Sequence, residues 1–146
     1  MIDCETEIVL VEDNPNDAEL ITRVLKKHDL GDNLVILRDG AEALSFLFGE
    51  DGCVKGSLGP LRLILLDLKL PKVDGTEVLR RIKTDERTKS IPVVILTSSS
   101  EQRDLHDTYN LGANSYVTKP IKFTDFAQVV SDVGSYWLRR NKLPDL

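Results

Sequence analysis

The sequence predicts an α/β domain built on a doubly wound parallel sheet of five strands. Two observations carry this reading. Short apolar runs are continuous rather than alternating, as in strands covered on both faces, and each is followed by a stretch whose apolar residues recur at helical spacing. Strands and helices that alternate five times imply right-handed crossovers and helices on both sides of the sheet.

The first run is Ile8-Val9-Leu10-Val11. Asn14-Pro15 then places a capping side chain before a proline at the first helical position, and Ala18, Ile21, Val24 and Leu25 extend the helix from about Pro15 to His28. Leu34 to Leu37 reads as the second strand, and Ala41, Leu44 and Leu47 mark the second helix. The stretch Gly49 to Pro60, with four glycines and a proline, is an enlarged loop. Leu63-Ile64-Leu65-Leu66 is the third strand, and Val78, Leu79 and Ile82 mark the third helix. Pro92 to Leu96 is the fourth strand; Leu105, Tyr109 and Leu111 mark a fourth helix ended by Gly112. Ser115-Tyr116-Val117 is the fifth strand. Phe126, Val129, Val130, Val133 and Trp137 fall on one stripe of a last helix from Thr124 to Arg139.

A chain of 146 residues suits one domain, spanning 1–146 with a core of about 6–140, the enlarged loop at 49–60 and a short C-terminal tail. Its net charge of -5 and the lack of a dense Lys/Arg run argue against a nucleic-acid partner. The apolar run after Glu7 is too short, and its flanks too acidic, for a signal peptide or membrane span, so cytoplasmic residence is the expectation. Cys4 and Cys53 have neither zinc spacing nor disulfide density and read as reduced thiols.

In an open parallel sheet, ligands bind beyond the carboxyl ends of the strands. The polar residues at those ends are Glu12-Asp13, Asp67, Thr97-Ser98 and Lys119-Pro120. Three carboxylates brought together repel one another unless a hard cation sits among them, and Mg²⁺ prefers such oxygen ligands. Lys119 supplies a charge able to hold a phosphoryl oxygen, the Thr97 hydroxyl can bond another, and Asp67 is placed as a nucleophile that forms an acyl phosphate. Singly, each has a plain alternative: Glu12 and Asp13 as acids at a helix start, Asp67 and Thr97 as strand-end residues, Lys119 as a solvated lysine. Their joint occurrence at matching strand ends favours the phosphoacceptor site. His28 and His106 lie away from the strand ends and read as surface residues.

Four segments, in order, resemble the response-regulator receiver domain of two-component signalling: Ile8 to Asn14; Leu65 to Pro71 with Asp74-Gly75; Val94 to Ser98; and Val117 to Pro120. The resemblance covers nearly the whole chain. It implies a flavodoxin-like (βα)5 fold with strand order 2-1-3-4-5, Asp67 as phosphoacceptor, Asp13 as direct metal ligand, and Glu12 acting through water. It further implies the backbone carbonyl of Lys69 as a ligand of Mg²⁺ or Mn²⁺, and Thr97 and Lys119 as the phosphate-contacting pair. Tyr116 would be the aromatic that turns inward on activation, and the Lys119-Pro120 bond would be cis. Lys69 and Ser99 stand at positions that vary among receivers and tune acyl-phosphate lifetime.

The enlarged loop, the absence of an output domain, and the ending Tyr136-Trp137-Leu138 with Leu143-Pro144 resemble the small response regulators that pair with cyanobacterial and bacterial phytochromes. A sensor histidine kinase, a phytochrome in that narrower reading, would donate the phosphoryl group. Output would come through partner binding, onward phosphotransfer or a changed oligomeric state, and the apolar stripe reaching Trp137-Leu138 suggests a homodimer through the C-terminal face. The alternative is a phosphorylation-independent interaction module, although this chain keeps the residues such forms lose. A phosphohydrolase would need a second acid where Lys69 stands, so the chain is read as a phosphoacceptor rather than an enzyme, with slow self-hydrolysis of the acyl phosphate. A flavodoxin-like cofactor binder would need a phosphate loop after the first strand, and none is present.

Overall fold

The computed structural model describes residues 5–50, 52 and 61–144. Cys4, Cys53 and most of the expected enlarged loop fall outside these residues.

Five strands and five helices alternate along the chain: β1 (Ile8–Val11), α1 (Pro15–Lys27), β2 (Leu34–Leu37), α2 (Gly40–Phe48), β3 (Leu63–Leu66), α3 (Gly75–Thr84), β4 (Val93–Thr97), α4 (Gln102–Leu111), β5 (Ser115–Thr118) and α5 (Phe123–Ser135). The sheet is wholly parallel with order β2-β1-β3-β4-β5. The order reverses between β1 and β3, so the loops after these two strands diverge to opposite faces and leave a crevice at their carboxyl ends.

The period of two along each strand divides the core. Ile8, Leu10, Leu63, Leu65, Val94 and Leu96 face α1 and α5, where they meet Ile21, Leu25, Phe126 and Val130. Val9, Val11, Ile64, Leu66, Val93 and Ile95 face the other way, onto Ala43, Leu47, Val78, Leu79 and Ile82 of α2 and α3. β1, β3 and β4 are buried throughout, which is why their sequences are continuously apolar. Each fully buried Leu or Ile contributes about 1.5–3 kcal/mol relative to exposure, which makes these three strands the stable floor of the site.

Helix starts follow the expected chemistry. The Asn14 side chain accepts from the Asn16 and Asp17 amides, Asp39 caps α2 through Glu42 N–H, and Asp74 caps α3 through Thr76 N–H. Gly112 ends α4 at φ 105, a left-handed conformation that a side chain would strain.

Three expectations need adjustment. Of the apolar residues that marked α4, Leu111 packs against the core whereas Tyr109 is 51% exposed, and the buried position is Thr108, which turns its hydroxyl back to the Asp104 carbonyl. The last helix does not stay α-helical to Arg139. After Ser135 it widens into a π-helical turn, Tyr136–Arg140, which seats Leu138 in the core while the Tyr136 and Trp137 rings meet edge to face. Finally, the Lys119-Pro120 bond is trans, as are all peptide bonds among the described residues. A prolyl amide narrows the trans preference to about 0.5–1 kcal/mol without reversing it. Here Lys119 N–H still bonds the Thr97 carbonyl at 2.7 Å, so the chain enters Pro120 as a continuation of the β4–β5 ladder.

Candidate functional site

β1 ends at Val11, and the two acids that follow are separated by the strand's alternation. Glu12 turns inward and is 1% exposed, while Asp13 is exposed at the mouth of the crevice. Glu12 is fixed at two points: Oε2 accepts the Asn14 amide at 3.1 Å, and Oε1 accepts from Lys119 Nζ at 2.5 Å. Burial, reinforced by the charge of Asp67, pushes Glu12 up to about 7, while the hydrogen bond from Lys119 pulls the other way.

Asp67 stands one residue beyond β3 and is 8% exposed. Its Oδ2 accepts from Lys119 Nζ at 3.1 Å. The carboxylate lies beside the following loop, where Lys69 N–H approaches Oδ1 at 3.4 Å and the Lys69 side chain points to solvent. That loop is pressed down by the start of α3. A Cβ on Gly75 would come 2.2 Å from the Asp67 carbonyl oxygen and 2.6 Å from Leu68 Cα. Only glycine permits this approach, and it sets where Asp67 leaves the strand.

Lys119, carried just past β5, brings the cluster together. Its Nζ donates to Glu12, to Asp17 at 2.9 Å and to Asp67, with the lysine side chain only 8% exposed. These carboxylates hold the Lys119 ammonium well above the ordinary lysine range despite its burial. Asp17 was not singled out in the sequence. Its signal was available: it is the third residue of α1, and helical side chains lean toward the N-terminus, which here adjoins the carboxyl edge of the sheet.

Thr97 ends β4 fully buried, and its hydroxyl faces the Ser99 amide at 3.4 Å. Ser99 bonds the Asp104 carboxylate through its hydroxyl, and its carbonyl accepts the Tyr116 hydroxyl at 2.9 Å. Tyr116 is therefore tied to the β4–α4 loop that follows Thr97. The structure thus places Glu12, Asp13, Asp67 and Lys119 in one cluster, with Lys69 at its rim. Thr97 and Tyr116 are joined to each other through Ser99.

One oxygen from each of Glu12, Asp13 and Asp67 can be chosen so that all three lie within 4.8 Å of one another. Three carboxylates at this spacing, two of them buried and Glu12 raised by its burial and by the charge of Asp67, form a donor set suited to a hard divalent cation. Lys119 already satisfies part of the negative charge, and no buried side-chain nitrogen or oxygen among the described residues lacks a partner.

The family model for the response regulator receiver domain matches residues 8–131. The response regulator Rcp1 of Synechocystis is 44% identical over 137 residues, covering 94% of this chain and 92% of that protein. Its Mn²⁺-bound crystal structure superposes with a TM-score of 0.85 at 41% identity, covering 96% of this chain and 99% of that one. The phosphorylated cyanobacterial phytochrome response regulator RcpA superposes with a TM-score of 0.87 at 40% identity, covering 97% and 99%. The probable methanogenesis regulatory protein FilR2 of Methanothrix harundinacea is 44% identical over 137 residues, covering 94% of this chain and 86% of that protein.

Proposed function

We propose, from the premise that this chain belongs to the response regulator receiver family, that Asp67 is the residue through which it takes part in two-component phosphotransfer. The chain is a phosphoacceptor of the response-regulator class related to Rcp1. The observation that supports Asp67 in this role is its place between the acid pair of β1 and the Lys119 ammonium, next to the loop after β3.

Asp13, Asp67 and the Lys69 backbone carbonyl would hold the divalent cation, with Glu12 acting through a water. Mg²⁺ is the ion we assign, with Mn²⁺ able to substitute; its chemistry, when bound, is to neutralise negative charge on the transferring phosphoryl group. The Asp67 carboxylate oxygen attacks the phosphorus of a phosphohistidine on a sensor kinase. The O–P bond forms as the P–N bond breaks, and the imidazole departs with the electron pair and takes up a proton. Lys119 then holds one phosphoryl oxygen and the Thr97 hydroxyl another. Thr97 moving toward the phosphoryl group draws on the loop that carries the Ser99 carbonyl. Tyr116 loses its present anchor and turns inward, changing the face formed by α4, β5 and α5. Slow attack by water on the same phosphorus regenerates the carboxylate and releases inorganic phosphate.

The likeness to RcpA supports a phytochrome-type sensor kinase as donor. Tyr136, 52% exposed beside Trp137, supports homodimerisation through the C-terminal face as one form of output, with an onward phosphotransfer or target protein as another. No helix among the described residues is long and apolar enough to cross a membrane, and a cytoplasmic setting fits a partner for the kinase's catalytic region.

The test is incubation with Mg²⁺ and acetyl phosphate, followed by intact-mass detection. One phosphate adduct that requires Mg²⁺ and is lost in Asp67→Asn is expected. An adduct that persists in Asp67→Asn would overturn the assignment. Transfer from a phosphorylated phytochrome kinase, faster than from an unrelated kinase, would establish the narrower pairing; equal rates would refute it. Sedimentation with and without a phosphate mimic tests the dimer, which a monomeric mass in both conditions would exclude.

A further inference from the structure

We infer that Asp17 is a positioning residue that holds the Lys119 ammonium in the unphosphorylated protein and surrenders it when a phosphoryl group arrives on Asp67. The inference rests on the assignment of Asp67 as the acceptor.

An ammonium has three N–H donors. In Lys119 all three are spent on carboxylates: Glu12 at 2.5 Å, Asp17 at 2.9 Å and Asp67 at 3.1 Å. The oxygens of a phosphoryl group on Asp67 lie farther out than the carboxylate oxygens it replaces, so Nζ must shift outward to meet them. Glu12 cannot follow, because its side chain is 1% exposed and pinned by the Asn14 amide. The Asp17 side chain is 27% exposed, so water can take over its oxygen at small cost. The contact given up is therefore the one to Asp17. Asp17 also adds a negative charge beside a group that itself carries close to two. Both effects set Asp17 against the phosphorylated state: it competes for the cation and repels the anion. Helix α1 is thereby linked to the acceptor through a bond that exists in only one of the two states.

The test measures the affinity of beryllofluoride, an acyl-phosphate mimic, in the presence of Mg²⁺ by calorimetry. Wild type, Asp17→Asn, Asp17→Ser and Glu19→Gln are compared, and each is also melted. Glu19→Gln removes one charge from the same helix at a side chain that is 62% exposed and engaged by Arg23. Both Asp17 variants are expected to bind the mimic about three- to tenfold more tightly while melting lower, and Glu19→Gln to bind as wild type does. A residue with a merely structural role would not tighten binding as it loosened the fold. Unchanged or weaker binding in the Asp17 variants would overturn the inference, as would an equal gain in Glu19→Gln. Failure of the wild type itself to take up the mimic would refute the assignment of Asp67, and the inference with it.

Discussion

The Lys119 ammonium lies 3.1 Å from Asp67 Oδ2, although the two are 52 positions apart in the chain. The lysine neutralises a cluster that would otherwise hold several carboxylates and no cation. Replacing it with methionine keeps most of the buried stem and removes the charge. Lys119→Met is expected to lose about 3 kcal/mol of unfolding free energy in urea at neutral pH without Mg²⁺, because a buried ion pair broken on one side leaves uncompensated charge. Added Mg²⁺ should recover part of this loss; a variant as stable as wild type without Mg²⁺ would show that the cluster does not need the ammonium.

The Asp67 carboxylate also bears on Glu12. Its charge helps to push Glu12 up to about 7, although burial is the larger cause. Asp67→Asn removes that repulsion, so Glu12 should titrate at lower pH than in wild type while staying above the ordinary glutamate value. Carboxyl carbon chemical shifts followed through a pH titration would read this directly.

The site also depends on a residue with no side chain. Gly75→Ala would drive a methyl group against the Asp67 carbonyl and the Leu68 backbone, and neither can move without shifting Asp67. The expected result is a stability loss of about 2 kcal/mol or more together with loss of the Mg²⁺-dependent adduct. A variant of lower melting temperature that accepts phosphate at the wild-type rate would separate the two effects and contradict this account.

Away from the site, Lys83 closes the turn between α3 and β4. Its Nζ donates to the Lys89 and Ile91 carbonyls and to Asn114 Oδ1. Burial lowers this lysine from 10.5 to about 8. Below about 8 both folded and unfolded chains hold the proton, and the partly buried charge weakens the fold. Between about 8 and 10.5 the unfolded chain retains a proton that the folded one has released, so stability rises with pH through that window. Lys83→Met lacks this linkage. Its deficit at neutral pH is expected to be about 1–2 kcal/mol from the lost hydrogen bonds, and it should widen as pH rises through the window. Denaturant unfolding at several pH values tests the slope.

The sheet was legible because β1, β3 and β4 are buried on both faces and, up to the Thr97 that ends β4, carry only apolar side chains. The cluster of carboxylates around Lys119 was legible because strand ends are fixed by those runs, so Glu12, Asp13, Asp67 and Lys119 follow from where apolarity stops. Asp17 escaped notice because it sits within a helix rather than at a strand end, and its role depends on the tilt of a side chain that periodicity does not encode. α4 was placed correctly while part of its buried face was misjudged: Leu111 packs on the core as its spacing implies, but Tyr109 is exposed and the buried position is Thr108, whose hydroxyl bonds within the helix. The π-helical turn at Tyr136 keeps the helical spacing of its apolar residues, so only the backbone reveals it.

The bond from Lys119 to Glu12 joins residues 107 positions apart. Closing so large a loop is among the costlier steps for a folding chain, and it is rewarded only once the strands between are paired. Until β5 docks on β4, Glu12 and Asp67 have neither their counterion nor their shield from water. A growing chain still short of its last β-strand, or one with that edge frayed, therefore offers a kinase an incomplete pocket, and competence to receive a phosphoryl group is acquired only when the fold is complete.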